Sequence, residues 1–231
     1  MKPLENNPHS QLVTFAKNTV GTDYVIGDIH GQYERLMTLL DEMAFDFSAD
    51  RLFCVGDLID RGPDSAKVIG LLAEDWFFSL LGNHEYFMLS GLKHNNNKDK
   101  MQWLQHGGDW IASSDPTLWP LWFEQLGDLP IAMQLEGQDG KTYGLLHADF
   151  PSDDWADYGD LDQEELEICL WSRSSYVDRS DHIVDGIDYL IHGHNSTGHT
   201  VDGVSAALLL GNRYYIEPGA YKGAGFVVMA L

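Results

Sequence analysis

Three times in its first 85 residues this chain runs a short apolar segment into a glycine and then into carboxylate, amide or imidazole side chains. Tyr24-Val25-Ile26 leads to Gly27-Asp28-Ile29-His30-Gly31. Leu52-Phe53-Cys54-Val55 leads to Gly56-Asp57-Leu58-Ile59-Asp60-Arg61-Gly62-Pro63-Asp64, and residues 76–81 lead to Gly82-Asn83-His84-Glu85. Short apolar runs bounded by turn residues read as buried strands, and a glycine at the end of each lets the backbone turn sharply. Packing demands alone do not put a metal-type donor after every such glycine. The repetition therefore predicts an α/β fold, with ligands on loops beyond the carboxyl ends of its strands.

The intervening segments fit that scheme. Leu36, Leu39, Leu40 and Met43 repeat with helical spacing, and residues 65–73 read as a second helix. Residues 89–128 are helical in character and rich in tryptophan (Trp103, Trp110, Trp119, Trp122). Trp119 and Trp122 lie three apart, the mark of a helix face on a core; a lid or substrate-recognition role is the other reading. Strands follow at 131–135 and 142–146, joined by a hairpin turn at 137–140. The second ends in His147-Ala148-Asp149. A helix over 164–171 leads to Arg173, and a strand at 189–191 runs into His192-Gly193-His194. Two further strands are expected at 213–216 and 226–229. There is no linker composition and no repeat at domain scale, so residues 22–231 read as one domain behind a polar lead-in, residues 1–21.

With 231 residues and 44% of them apolar, one sizeable core is affordable. The 14 basic residues against 36 acidic, a net of −22, exclude nonspecific binding to nucleic acid or an anionic membrane, since both need basic patches. Cys54 and Cys169 lack metal-site spacing and are too few for a disulfide framework, so they read as buried thiols in a reducing compartment. Neither a signal segment nor an apolar run of about 18 residues is visible. These features predict a cytoplasmic protein.

Asp28, His30, Asp57, Asn83, His147 and His194 together make an oxygen and imidazole set suited to manganese, iron or zinc. Six ligands with one bridging carboxylate suit two divalent ions about 3.5–4 Å apart, the arrangement used in phosphoryl transfer, where a bound water becomes a hydroxide nucleophile near pH 7. His84, beside Asn83, is placed to protonate the leaving oxygen, with Asp60 orienting its ring. Arg61 and Arg173 offer forks to phosphoryl oxygens. Between His192 and His194, two apart on one strand face, His194 is preferred as the ligand because it lies past a glycine.

Gly27-Asp28-Ile29-His30-Gly31, Gly56-Asp57-Leu58-Ile59-Asp60-Arg61-Gly62 and Gly82-Asn83-His84-Glu85 resemble the three signature motifs of the PPP-type serine/threonine protein phosphatases. The likeness extends to His147-Ala148-Asp149 and Gly193-His194, covers about residues 22–220, and is similar in size and loops to the bacterial and bacteriophage-lambda type. It implies a calcineurin-like metallophosphoesterase fold, a β-sandwich flanked by α-helices. It also implies a first metal at Asp28, His30 and Asp57, and a second, manganese foremost, at Asp57, Asn83, His147 and His194. His84 with Asp60 would be the acid pair, Arg61 and Arg173 the phosphate clamp. The implied activity is hydrolysis of phosphoserine and phosphothreonine in phosphoproteins, with phosphotyrosine also in reach; a monomer is expected. Two departures stand out: Asn195 where the family has Thr, and Glu217-Pro218-Gly219 where it has Asp-x-Gly. A diadenosine tetraphosphate hydrolase is the enzymatic alternative, although those enzymes typically lack the equivalent of Asp60. A phosphoprotein-binding module without catalysis is the alternative from another class.

Overall fold

The computed structural model describes residues 12–231. Its elements begin with β1 (Leu12–Phe15), β2 (Asp23–Ile26), α1 (Tyr33–Glu42), β3 (Arg51–Cys54), α2 (Ser65–Gly70), β4 (Phe77–Ser79), α3 (Asn83–Met88) and α4 (Asn97–Gln105). Next come α5 (Trp119–Gly127), β5 (Ala132–Glu136), β6 (Thr142–Leu146), α6 (Gln163–Trp171), α7 (Ser174–Val177) and β7 (Tyr189–His192). A small ribbon of β8 (Thr200–Val201) and β9 (Val204–Ser205) precedes β10 (Leu208–Leu210), β11 (Arg213–Tyr215) and β12 (Val228–Ala230).

Two mixed sheets result. One has four strands in the order β12-β2-β3-β4, the other six in the order β1-β5-β6-β7-β11-β10. Strands β2, β3 and β4 are parallel neighbours, as are β6 and β7. Their carboxyl ends therefore carry the polar clusters side by side, as the spacing predicts. Alternation along the strands decides how the layers meet. Val25, Phe53 and Val55 from one sheet share a cluster with Met133, Leu135, Leu145 and Ile191 from the other. Their neighbours Ile26, Leu52, Cys54, Leu146 and Leu190 face outward, into the cluster built with the helices. Each fully buried Leu, Ile or Phe in these layers contributes about 1.5–3 kcal/mol. The fold is the expected β-sandwich flanked by helices.

The two ends of the described chain cross between sheets. Leu12–Phe15, expected within the lead-in, pairs in parallel with β5, from Leu12 opposite Ala132 to Phe15 opposite Leu135. Phe15 also sets its ring edge-on against Phe53 and Phe78, 4.9 Å from each. Residues 1–11 lie outside the described residues. At the other end β12 pairs antiparallel with β2.

The tryptophan-rich stretch is helical but broken. The Asn96 side chain caps α4 by accepting from the N–H groups of Lys98 and Asp99. Gly107, at φ 109°, then turns the chain in a conformation that L side chains avoid. Trp122 is core, as its spacing predicts, while the Trp119 indole N–H donates to Ser114 Oγ at 2.9 Å.

Candidate metal centre

All six predicted metal donors are buried. The four-stranded sheet supplies Asp28 and His30 after β2, Asp57 after β3 and Asn83 at the start of α3. The six-stranded sheet supplies His147 after β6 and His194 after β7. The halves are tied by the His194 N–H, which lies 3.1 Å from both oxygens of Asp28. His30, Asp57 and His84 bring potential ligand atoms within 4.8 Å of one another, and so do Asp57, His147 and His194. Asp57 is common to both groups, as a bridging carboxylate must be.

The local backbone is strained where these residues sit. Among the described residues, the non-glycine positions with positive φ include His30, Asp57, Asp60, Arg61 and His194. Such conformations cost on the order of 1–3 kcal/mol each and cluster at functional sites. Glu85 braces this loop structure. Its Oε2 accepts from the N–H groups of Asp57 and Gly82, both at 2.9 Å, and its Oε1 from Leu58 at 2.8 Å and Ile59 at 3.1 Å.

The donor set fits a cation on the direction of its lone pairs. His147 Nδ1–H donates to the Val55 carbonyl at 2.8 Å, so Nε2 carries a lone pair. That lone pair faces Asn83 Oδ1 at 2.9 Å and Asp57 Oδ1 at 3.4 Å, an acceptor among acceptors. His194 Nε2 is buried with no hydrogen-bond partner. His30 Nδ1–H donates to the Ile59 carbonyl at 3.0 Å, leaving its Nε2 toward Asp57 Oδ2 at 3.7 Å and Asp28 Oδ2 at 3.9 Å.

Electrostatics keep these rings neutral. Burial holds the His30 imidazole down to about 3 and that of His194 down to about 2. Burial would raise Asp57, but the surrounding imidazoles of His147, His84, His30 and His194 outweigh it and hold the carboxyl far below its usual range. Asp28 moves upward, pushed by burial and then by the charges of Glu217 and Asp57.

His84 Nδ1 lies 2.5 Å from Asp60 Oδ2, so the expected pair is in contact. Burial pulls the His84 imidazole down, yet Asp57 and Asp60 together raise it above its usual value. Two residues missed from sequence complete this corner: the indole N–H of Trp103 donates to Asp60 Oδ2 and that of Trp110 to Oδ1, each at 2.7 Å. Their only signal was membership of a tryptophan-rich segment.

Arg61 and Arg173 reach the same space. A cavity of about 210 Å³ lies against Asp57 and His194, and both arginines line it with Tyr221 and Lys222. Arg61 donates to His30 Nε2 at 2.6 Å, its other terminal nitrogen lies 2.8 Å from His84 Nε2, and its guanidinium sits over the Tyr221 ring at 4.3 Å. Arg173 donates to the His194 carbonyl at 3.1 Å and to Asn195 Oδ1 at 2.9 Å. Asn195 thus orients Arg173. Glu217 holds the loop that carries Tyr221, accepting from the N–H groups of Gly219 at 2.6 Å and Ala220 at 3.0 Å. His192, the alternative to His194, is buried and stacked on Tyr215, and it joins neither donor group.

The sequence profile of the calcineurin-like phosphoesterase family matches residues 24–197. Serine/threonine-protein phosphatase 1 of Salmonella typhimurium is 33% identical over 203 residues, covering 87% of each chain. A symmetrical bis(5'-nucleosyl)-tetraphosphatase of Erwinia tasmaniensis is 38% identical over 91 residues, covering 37% of this chain and 33% of its own. In structure, a serine/threonine phosphatase of Saccharomyces cerevisiae superposes with a TM-score of 0.65 at 14% identity, over 95% of this chain and 83% of that one. With its motifs on adjacent strand ends and both sheets feeding one donor cluster, the chain belongs to the calcineurin-like phosphoesterase family.

Proposed function

We propose that this protein is a metal-dependent phosphoprotein phosphatase that hydrolyses phosphoserine and phosphothreonine, with phosphotyrosine also admitted. The observation that carries this reading is the His84–Asp60 pair beside the donor cluster, with two arginine forks lining the cavity against Asp57 and His194. Asp28, His30 and Asp57 would hold one divalent ion, and Asp57, Asn83, His147 and His194 a second, with manganese first and iron or zinc also suited to the set. Bound there, such ions supply positive charge that acidifies water and offsets charge on the phosphoryl group.

The protein's own residues do the rest. Arg61 and Arg173 bind the phosphoryl oxygens and meet the charge that grows in the transition state. As the phosphorus–oxygen bond breaks, the leaving alkoxide takes the proton from His84 Nε2, while Asp60 accepts from Nδ1 and stabilises the ring in its charged form. The small cavity supports a monoester on a protein side chain. The buried free thiols of Cys54 and Cys169 support a reducing, cytoplasmic setting. No helix among the described residues is long and apolar enough to cross a membrane. The chain is taken to act as a monomer, without nucleic acid.

The second reading, a dinucleotide polyphosphate hydrolase, draws on the 38% identity to the tetraphosphatase. That likeness covers 37% of this chain, against 87% for the protein phosphatase, which favours the first reading. The test is phosphate release by manganese-loaded protein from a phosphoserine peptide and from diadenosine tetraphosphate, with His84→Asn alongside. Faster turnover of the peptide, falling by about 10²–10⁴ in the variant, is expected. Preference for the dinucleotide would overturn the phosphoprotein assignment.

A further inference from the structure

The hydrogen bonds to Asp60 leave its carboxylate no freedom. The residue is fully buried and its backbone stands at φ 74°. Its N–H donates to Ser65 Oγ at 2.9 Å. Oδ2 accepts from His84 at 2.5 Å and from the Trp103 indole at 2.7 Å, and Oδ1 accepts from the Trp110 indole at 2.7 Å. Both indoles come from the α4 segment and the turn after it, more than forty positions along the chain.

The choice of tryptophan has a chemical logic. An indole N–H donates and never accepts. Neither ring can therefore compete with the carboxylate for the His84 Nδ1 proton, as a hydroxyl or an amide could. Each donor sits on a large rigid ring that is itself packed. Trp103 is fully buried, meets Trp110 edge-on at 6.4 Å, and Trp110 in turn leans on Trp122 at 5.6 Å. Gly108 admits Trp103 closely: a Cβ there would fall 2.4 Å from the ring. The same corner touches the phosphate clamp, since the Arg61 N–H points to the Gly107 carbonyl at 3.4 Å.

We propose that Trp103 and Trp110 are positioning residues for proton delivery: they fix the Asp60 carboxylate in one orientation, which aims His84 at the leaving oxygen and sets how poor a leaving group the site can expel. The proposal rests on the assignment of His84 as the acid. A merely structural tryptophan would affect all substrates alike. A positioning tryptophan matters for serine alkoxide, which needs a proton to leave, far more than for dinitrophenolate, which does not.

The test compares a phosphoserine peptide with 2,4-dinitrophenyl phosphate for wild type, Trp103→Phe, Trp110→Phe and His84→Asn. The readout is the ratio of kcat on the peptide to kcat on the aryl ester. His84→Asn should lower this ratio by about 10²-fold or more, and each Trp→Phe variant by about tenfold. Trp110 is half-buried, so Trp110→Phe keeps the question answerable if Trp103→Phe does not fold. In metal-free protein the short His84–Asp60 contact should give a deshielded Nδ1–H proton NMR signal, a second readout independent of turnover, and this signal should broaden or vanish in the Trp variants. If His84→Asn lowers the ratio but both tryptophan variants leave ratio and signal unchanged, the indoles are packing alone and the proposal is wrong. If His84→Asn itself leaves the ratio unchanged, the acid assignment falls and takes the proposal with it.

Discussion

Replacing Glu85 by Gln exchanges one buried oxygen for an amide nitrogen and alters the side-chain shape hardly at all. In the native protein both oxygens are engaged, with Asp57 and Gly82 donating to Oε2 and Leu58 and Ile59 to Oε1. A glutamine keeps one acceptor, and its NH2 group must face two N–H donors it cannot bond. Two hydrogen bonds to a charged group, at about 1.5–3 kcal/mol each, put the loss at about 3–6 kcal/mol. Against a total stability of about 5–15 kcal/mol that is severe. At roughly 2–4 °C per kcal/mol for a chain of this size, melting should drop by about 6–24 °C. The assay is urea and thermal unfolding of metal-free protein, wild type against Glu85→Gln. Burial and the neighbouring Asp57 push the Glu85 carboxyl upward, whereas four N–H donors and no acceptor favour its ionised form, which is the form taken here. Were burial to win, folded Glu85 would carry a proton near neutrality and glutamine would imitate it. A loss below about 1 kcal/mol at pH 7 would therefore refute the reasoning.

Two further outcomes are expected. At Gly82 an added Cβ would lie 2.2 Å from the Asp57 nitrogen and 2.3 Å from its Oδ1, so Gly82→Ala should abolish tight metal binding measured by titration calorimetry; at Gly70 a Cβ meets nothing within 4 Å, so Gly70→Ala should bind as wild type. Burial pushes the Glu217 carboxyl from 4.5 up to about 7, so its contribution to stability is full below about 4.5 and is lost as pH rises through about 7; Glu217→Gln should flatten the decline in urea midpoint of metal-free protein between pH 5 and 8, and an unchanged slope would count against this.

The parts legible in sequence are those where chemistry and spacing coincide. A strand, a glycine and a metal-type donor are local features, so Asp28, His30, Asp57 and Asn83 announce themselves, and β6 was readable to its bounds, Thr142–Leu146. What stayed hidden depends on direction. Trp103 and Trp110 look like apolar mass in a sequence, and nothing local says that their N–H groups aim at Asp60, 43 and 50 residues away. Glu85 reads as one more residue of a motif until folding wraps four backbone donors around it. The pairing of Leu12–Phe15 with β5 was unreadable for a related reason. A four-residue strand carries no signal of its partner, and an exposed, weakly apolar segment fits an edge strand as well as a lead-in. His192 and His194 show the opposite case, where a glycine and one step past the strand end separate a buried packing residue from a donor.

The crossing of the terminal strands bears on how the protein is made. During synthesis β2, β3 and β4 emerge early with Asp28, His30, Asp57 and Asn83, yet β2 keeps an open edge until residues 228–230 arrive to cover it. β1, the first strand among the described residues, waits in turn for β5. An unpaired edge is a template for pairing with a neighbouring nascent chain, and domains of this length expose such surfaces transiently. A ribosome-bound chain that stops short of residue 228 should therefore hold both cysteines and all six donors yet be prone to aggregate, gaining its protection only with the three residues of β12.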